Sequence, residues 1–242
     1  MSILYYSQPK NDFSDLYIKV REKENRLYSI EQIKNLPDLE KNHPQYKEWQ
    51  LRKKSTARFI EYLNSKKTSL KILDIGCGNG WFSHLMSEVE NTEVVGLDVN
   101  VTELEQASKA FQKENLTFVY TDLYENTKLN SQKFDLIVLN SCLQYFENKT
   151  ALFEIITKLL NQKGEIHIID TPFYNNGTIE NAKKRTQAYY KNIGFPAMSK
   201  NYFHHRFDDL GKHKIMYKPS SSLLKYFRKD SPFCWILIQI LN

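Results

Sequence analysis

The chain has 242 residues, of which 41% are hydrophobic and 26% are charged, and its formal net charge is +6 at pH 7. This length suits one sizeable α/β domain with an appended segment and argues against two independent domains. Cys77, Cys142 and Cys234 are scattered without metal-ligand spacing, so the sequence predicts no disulfide and no metal site, and it favours a reducing, cytoplasmic location.

Residues 1–67 contain no obvious strand, and we expect them to form an amino-terminal helical cap in front of a domain that spans residues 68–242. The first residues lack the charged-then-apolar pattern of a signal peptide. The polar stretch that carries Arg21, Arg26 and Tyr28 has two open interpretations. It is either a lid that reaches a ligand or an ordinary surface turn.

A helix is expected over about residues 45–64, because apolar side chains recur there at helical spacing. Its predicted inner face comprises Tyr46, Trp49, Thr56, Ile60 and Leu63. The basic cluster 52–54 is expected to be mostly solvated.

The segment Leu70-Lys-Ile-Leu-Asp-Ile-Gly-Cys-Gly-Asn-Gly80 joins an apolar strand, through an acid, to a Gly-x-Gly-x-Gly turn. Glycines let the backbone turn tightly and approach a ligand closely. A helical pattern starts at about Trp81, and the unpaired N–H groups at a helix start suit an anionic group. The arrangement predicts a site for a nucleotide-type cofactor.

Four further apolar runs end in a polar or acidic residue, namely Asp98, Asp122, Asn140 and Asp170. Helical patterns lie between them, and Asn100-Val-Thr-Glu103 predicts a capping box. Strands that alternate with helices indicate a parallel sheet covered on both faces. The polar strand ends then meet at the carboxyl edge of the sheet, where open α/β folds bind ligands.

The connection 171–212 is long and aromatic, and it leads to a sixth strand over residues 214–218. A connection of this length at the ligand edge predicts a substrate-side insertion. The apolar run 233–241 is too short to span a membrane and is interpreted as a buried strand, with a membrane anchor as the weaker alternative.

Asp74-Ile-Gly-Cys-Gly-Asn-Gly80, with Asp98, Asp122 and the segment Asn140-Ser-Cys-Leu-Gln-Tyr-Phe146, resembles the class I S-adenosylmethionine-dependent methyltransferases. The resemblance covers about residues 68–170. It implies a doubly wound, mostly parallel, seven-stranded Rossmann-like sheet whose last strand is antiparallel. It also implies S-adenosylmethionine as the cofactor.

The resemblance further implies a role for each matching position. The loop residues Gly76, Cys77, Gly78 and Gly80 would surround the methionine end of the cofactor, supported by Asp74. Asp98, followed by Val99, would bind the ribose hydroxyls, and Asp122 and Leu123 would border the adenine. Asn140 and Ser141 would lie beside the sulfonium, with Gln144 and Tyr145 on the substrate side.

A dinucleotide-binding Rossmann domain is the nearest alternative, since it also ends its second strand in an acid. Its Gly-x-Gly-x-x-Gly fingerprint would need a glycine where this chain has Trp81, and it requires no acid at Asp74. These two positions favour the methyltransferase interpretation.

Methyl transfer needs an aligned acceptor, and a hydroxyl or protonated amine acceptor also needs a base. His204 and His205 are the first candidates, because they lie in the predicted insertion and histidine titrates near neutral pH. Tyr145 and Tyr202 come next. A structural histidine pair is the alternative, and His167 is expected to be a core residue.

The sequence therefore predicts a methyltransferase that acts on a small or medium-sized acceptor. A non-catalytic cofactor sensor or interaction protein is one alternative, and an RNA or protein methyltransferase is another. The basic charges are dispersed, which does not favour nucleic acid as a partner. The acceptor and the oligomeric state are left open.

Overall fold

The computed structural model describes residues 2–10, 12–125, 128–219 and 230–239. Its strands are β1 (Leu4–Tyr5), β2 (Leu70–Ile75), β3 (Thr92–Asp98), β4 (Leu116–Tyr120), β5 (Phe134–Asn140), β6 (Leu160–Ile169), β7 (Phe173–Tyr174), β8 (His205–Arg206), β9 (Lys214–Tyr217) and β10 (Trp235–Gln239). Eight of them form one sheet in the order β1-β4-β3-β2-β5-β6-β10-β9, and β7 pairs with β8 separately.

Neighbouring strands from β1 to β6 in this sheet are parallel, whereas β10 is antiparallel to both β6 and β9. The prediction of a doubly wound, mostly parallel α/β sheet is confirmed. The predicted count of seven strands is wrong, because β1 adds an eighth strand beside β4 and pairs Leu4 with Val119. Both residues of β1 are exposed and the strand has only two residues, so no hydrophobic pattern marks it.

The helices are α1 (Asp12–Lys23), α2 (Ile30–Asn35), α3 (Tyr46–Ser65), α4 (Trp81–Ser87), α5 (Val101–Ala110), α6 (Lys149–Lys158) and α7 (Ile179–Asn192). Successive residues of the central strands enter two separate hydrophobic clusters, as the two-residue period of a strand requires. Ile72 joins one cluster with residues of α3, α4 and α5, and Leu73 joins the other with residues of α6. Helices therefore cover both faces.

Two helix starts show how local hydrogen bonding sets the elements. The Asn100 side chain accepts from the Glu103 N–H at 3.0 Å, but the Asn100 N–H donates to Asp98 Oδ1 at 2.8 Å. Only one half of the predicted capping box at α5 therefore forms. A complete box caps α2, where Ser29 and Gln32 bond each other's backbone N–H groups at 2.9 and 3.2 Å.

The amino-terminal segment supplies α1, α2 and α3, together with the unexpected β1. The division into a cap (1–67) and a domain (68–242) stays a prediction. On α3, Trp49, Thr56 and Leu63 are buried as expected. The solvated position predicted for Arg52 is wrong, since its side chain is only 20% exposed and contacts the site described below.

The predicted sixth and last strands are present as β9 and β10. The end of the predicted last strand, residues 240–241, lies outside the described residues. Among the helices that the structure describes, none has the length and apolar character needed to cross a membrane.

Candidate active site

The glycine loop follows β2 directly and is held against the end of β3. The backbone N–H groups of Gly76 and Cys77 both donate to the Leu97 carbonyl, at 2.8 and 3.0 Å. Gly76, Gly78 and Gly80 all have positive φ angles, of 70°, 54° and 76°. An L side chain would be strained at each position, and a Cβ on Gly80 would lie 2.6 Å from the Phe118 ring.

Asp98, at the end of β3, anchors this loop. Its Oδ2 accepts from the Gly78 N–H at 2.8 Å and its Oδ1 accepts from the Asn100 N–H at 2.8 Å. Burial raises the pKa of Asp98, and these backbone hydrogen bonds oppose that rise. The carboxylate is thus held in one orientation at the edge of the loop.

Glu103 is a buried carboxylate for which the sequence pattern indicates only a capping role. It lines the same cavity as Asp98, and its Oε2 would lie 3.2 Å from a Cβ placed on Gly78. Burial raises the pKa of Glu103 to about 7, while the Arg21 guanidinium opposes the rise. No local sequence signal distinguishes this role from capping.

Asp74 lies at the base of the loop, 1% exposed. Its Oδ2 accepts from the Ser83 hydroxyl at 2.6 Å, which ties β2 to α4. Burial raises the pKa of Asp74 to about 7, although the Ser83 hydrogen bond opposes this. Asp74 therefore has a supporting position under the loop.

A cavity of about 310 Å³, which we call the loop cavity, opens at the carboxyl ends of the strands. The predicted cofactor residues that line it are Asp74, Gly76, Cys77, Gly78, Asp98, Val99, Asp122, Leu123, Asn140, Ser141 and Tyr145. Gly80 is the one predicted cofactor residue outside this lining. Gly80 instead directly precedes α4 as its N-cap residue, and its φ angle is positive.

Several polar atoms at the loop cavity are buried and have no hydrogen-bond partner among the described residues. They are Arg21 Nε, Asn79 Oδ1, Asn100 Nδ2 and Asn140 Oδ1. Buried polar groups in proteins are nearly always paired, so a group of unpaired ones indicates a site built for a polar ligand. Ribose hydroxyls, an amino group and a carboxylate would fit these donors and acceptors.

The far wall of the loop cavity is formed after β4. Leu123 is 5% exposed, and Asp122 Oδ1 accepts from the Tyr124 N–H at 2.9 Å. The other oxygen, Asp122 Oδ2, lies 3.6 Å from Lys10 Nζ. An apolar side chain beside a carboxylate suits a planar base that carries an amine.

Helix α1 forms one wall of the loop cavity. Phe13, Tyr17 and Arg21 recur at four-residue spacing, so they share one helix face, and all three line the cavity. Arg26 and Tyr28 also line it. These positions favour the lid over the surface turn.

Arg26 and Arg52 are held by one carboxylate. Glu48 accepts from Arg26 at 2.8 and 2.5 Å and from Arg52 at 3.1 and 3.0 Å. Arg52 also donates to the Ser141 hydroxyl at 3.0 Å. Burial would raise the pKa of Glu48, but the two guanidiniums lower it to about 2.

A second cavity, of about 470 Å³, adjoins the first. Five residues line both cavities: Tyr17, Arg21, Arg26, Arg52 and Tyr145. We call it the tyrosine cavity because six tyrosines line it, namely Tyr17, Tyr145, Tyr174, Tyr189, Tyr190 and Tyr202. Tyr145 stands between the two cavities, with its ring edge-on to those of Tyr17 and Tyr202 at 5.6 and 5.9 Å.

The four candidate bases fall into two groups. Tyr145 and Tyr202 line the tyrosine cavity, whereas neither His204 nor His205 belongs to the lining of either cavity. His204 Nε2 lies 3.0 Å from the Thr186 hydroxyl, and His205 is buried with Nε2 3.0 Å from the Leu143 carbonyl. The two tyrosines therefore line the site, whereas the two histidines do not.

Gln144 and His167 also have definite places. Gln144 lines the tyrosine cavity and donates to the Ser141 carbonyl at 2.6 Å, while its Oε1 is buried without a partner among the described residues. His167 is fully buried between Trp235 Nε1 at 3.1 Å and Glu165 Oε2 at 3.3 Å. It is the core residue that the sequence predicted.

Comparison with known proteins gives a family. The family model described as "Methyltransferase domain" matches residues 66–216, a range that begins directly after α3 and includes the glycine loop, Asp98, Asp122 and Asn140. The chain belongs to this methyltransferase domain family. Within the described residues, no cluster of His, Cys, Asp or Glu side chains could hold a metal ion.

Individual relatives of this methyltransferase-family chain match over part of their length. A malonyl-[acyl-carrier protein] O-methyltransferase of Ilyobacter polytropus is 31% identical over 109 residues, which is 43% of this chain and 40% of that protein. A ubiquinone biosynthesis O-methyltransferase of Actinobacillus pleuropneumoniae is 28% identical over 114 residues, 43% of this chain and 48% of that protein. The chain thus spans less than half the length of these relatives.

The fold as a whole is similar to a solved structure. The magnesium protoporphyrin IX methyltransferase of Synechocystis, solved with bound S-adenosylhomocysteine, superposes with a TM-score of 0.60. The match covers 93% of this chain and 96% of the other at 16% identity. At this identity, the likeness concerns the fold alone.

Proposed function

We propose that this chain is an S-adenosylmethionine-dependent methyltransferase that acts on a small or medium-sized acceptor. The observation that carries the proposal is the carboxylate of Asp98 fixed at the mouth of a glycine loop, in a cavity lined with unpaired polar atoms. Membership of the methyltransferase domain family supports it. The names of the two relatives favour transfer to an oxygen atom.

The cofactor would be held by the residues predicted from the sequence. Gly76, Cys77, Gly78 and Gly80 would shape the pocket for its methionine end, over Asp74. Asp98 and Val99 would face the ribose, Asp122 and Leu123 the adenine, and Asn140, Ser141 and Tyr145 the sulfonium. Glu103, Tyr17 and Arg21 line the same cavity.

The bound cofactor would supply an activated methyl group on a sulfonium sulfur. The chain's own residues would align the acceptor and exclude water, which suffices for a displacement with a good leaving group. Asp98 is prepared for two ribose hydroxyls because Gly78 and Asn100 already fix its orientation. The aromatic face of α1 would shield the reacting groups.

Tyr145 and Tyr202 are proposed to contact the acceptor. Burial raises the pKa of both phenols, so they stay protonated at neutral pH and can donate hydrogen bonds. Their role would be orientation rather than proton removal. Catalysis by His204 or His205 remains a prediction from the sequence, which alanine variants at the two positions would test.

Calorimetric titration of the purified chain with S-adenosylhomocysteine tests the proposal. A second titration with NAD tests the alternative of a dinucleotide-binding fold. We expect saturable one-to-one binding of S-adenosylhomocysteine and none of NAD. The enzyme proposal also requires incorporation of labelled methyl groups into an acceptor from a metabolite extract. Cofactor binding without any transfer would favour a sensor, and NAD binding would contradict the assignment.

A further inference from the structure

An acceptor bound in the tyrosine cavity would lie next to the cofactor, because Tyr145 and Arg21 line both the tyrosine cavity and the loop cavity. Its charges are unbalanced. Four arginines line it, namely Arg21, Arg26, Arg52 and Arg185, against two carboxylates, Glu24 and Glu48. The lining described by the structure thus carries an excess of two positive charges.

The two carboxylates are already engaged. Glu48 bonds both Arg26 and Arg52, and Glu24 lies 3.2 Å from Arg26 Nε and accepts from the Tyr189 hydroxyl at 2.5 Å. Both glutamates are therefore already paired with arginine or tyrosine side chains.

Arg185 is exposed and forms no ion pair among the described residues, and Arg21 is the least well paired of the three arginines that are partly buried. Its closest carboxylate is Glu24, with Nη1 and Oε2 3.8 Å apart, and its Nε is buried without a hydrogen-bond partner among the described residues. A partly buried guanidinium is strongly favoured by a carboxylate that can accept two parallel hydrogen bonds. Its position on both cavities would put such a carboxylate beside the reacting groups.

Among the described residues, the lining of the tyrosine cavity contains no histidine and no unpaired carboxylate that could serve as a base. It contains phenols, guanidiniums and the two ion-paired glutamates, while His204 and His205 lie outside it. Glu103 lines only the loop cavity. A hydroxyl or ammonium acceptor would therefore have no base, whereas a carboxylate is already deprotonated at neutral pH.

We infer that the tyrosine cavity binds an acceptor with an aromatic or similarly flat body and a carboxylate, which Arg21 orients and which is the group methylated. This inference rests on the proposed function. One carboxylate oxygen forms a bond to the methyl carbon while the carbon–sulfur bond breaks and its electron pair stays on sulfur. The negative carboxylate and the positive sulfonium both become neutral, and no proton is released.

Binding of a matched ligand series tests the inference. Arylalkanoates from phenylacetate to 5-phenylpentanoate are compared with the alcohols and amines of the same skeletons, with and without saturating S-adenosylhomocysteine. We expect the best carboxylate to bind on the order of 10- to 100-fold more tightly than its alcohol, and the amines not to bind. An alcohol that binds as tightly as its acid would overturn the inference.

The variant Arg21→Gln should lower carboxylate affinity on the order of 10-fold or more, and Arg21→Lys should restore part of it. Because Arg21 also lines the loop cavity, affinity for S-adenosylhomocysteine can fall too, but the carboxylate should lose affinity by the larger factor. Arg206→Gln is the control, because this arginine pairs with Asp209 away from both cavities. Thermal melting curves check that each variant is folded.

Two outcomes separate this inference from the proposed function. If Arg21→Gln weakens S-adenosylhomocysteine but leaves carboxylate affinity unchanged, Arg21 serves the cofactor and the inference is wrong. If the wild-type chain fails to bind S-adenosylhomocysteine, the proposed function is wrong. Titration of the carboxylates in the absence of S-adenosylhomocysteine then still shows whether the tyrosine cavity prefers anions. With labelled cofactor, the product should be a base-labile methyl ester formed without proton release.

Discussion

Replacing Asp98 by alanine should strongly weaken cofactor binding in the loop cavity. Two ribose hydroxyls facing one carboxylate would each form a charge-assisted hydrogen bond, worth about 1.5–3 kcal/mol. The loss of both should reduce affinity for S-adenosylhomocysteine on the order of 100-fold or more. The substitution also removes the acceptor of the Gly78 and Asn100 N–H groups, so we expect a loss of stability of about 1–3 kcal/mol.

The assay must separate ribose contacts from damage to the loop. Calorimetry on wild type and Asp98→Ala is therefore repeated with an S-adenosylhomocysteine analogue that lacks both ribose hydroxyls. The affinity difference between the two proteins should largely disappear with the analogue. Asp208→Ala, at an exposed acid, is the control and should bind like wild type. An equal loss for cofactor and analogue would refute the ribose assignment and leave Asp98 a purely structural residue.

Three further predictions concern pH, packing and the insertion. Burial raises the pKa of Glu103 from 4.5 to about 7, so the folded chain binds more protons than the unfolded chain between these values, and stability should fall as pH rises through that window. Urea unfolding of Glu103→Gln should show a smaller fall, by about 3 kcal/mol in total. Gly80→Ala would place a Cβ within 2.6 Å of Phe118 at a φ of 76°. The free energy of unfolding, measured from denaturant midpoints, should therefore fall by about 2–4 kcal/mol. An unchanged midpoint would contradict the close packing at Gly80. His205→Ala should lower the free energy of unfolding by about 1–3 kcal/mol, because it leaves the buried Leu143 carbonyl unpaired. Affinity for S-adenosylhomocysteine should be retained. A large loss of affinity would instead place His205 in the site.

The parts of the site that follow from short sequence patterns could be predicted. The glycine loop and Asp98 lie at the ends of two strands, and strand ends of a parallel sheet meet at one edge whatever the rest of the chain does. Asp122 and Asn140 follow from the same rule. The fold class could be predicted for the same reason, since strands and helices alternate with clear hydrophobic periods.

The remaining parts depend on contacts between distant segments, which no local pattern encodes. Arg52 looks like a solvated base beside two lysines, but Glu48 one turn earlier and Ser141 across the site hold it inward. Tyr17 and Arg21 become cavity residues only because α1 packs over the sheet edge. The short strand β1 has no recognisable sequence pattern, because its two residues are exposed and pair only with β4.

A structure of the chain with S-adenosylhomocysteine bound tests the central claim most directly. We predict the ribose hydroxyls within hydrogen-bond distance of Asp98, the adenine against Leu123 and the sulfur beside Asn140 and Ser141. Density for the compound outside the loop cavity, or a pose in which Asp98 contacts no ribose hydroxyl, would contradict the account.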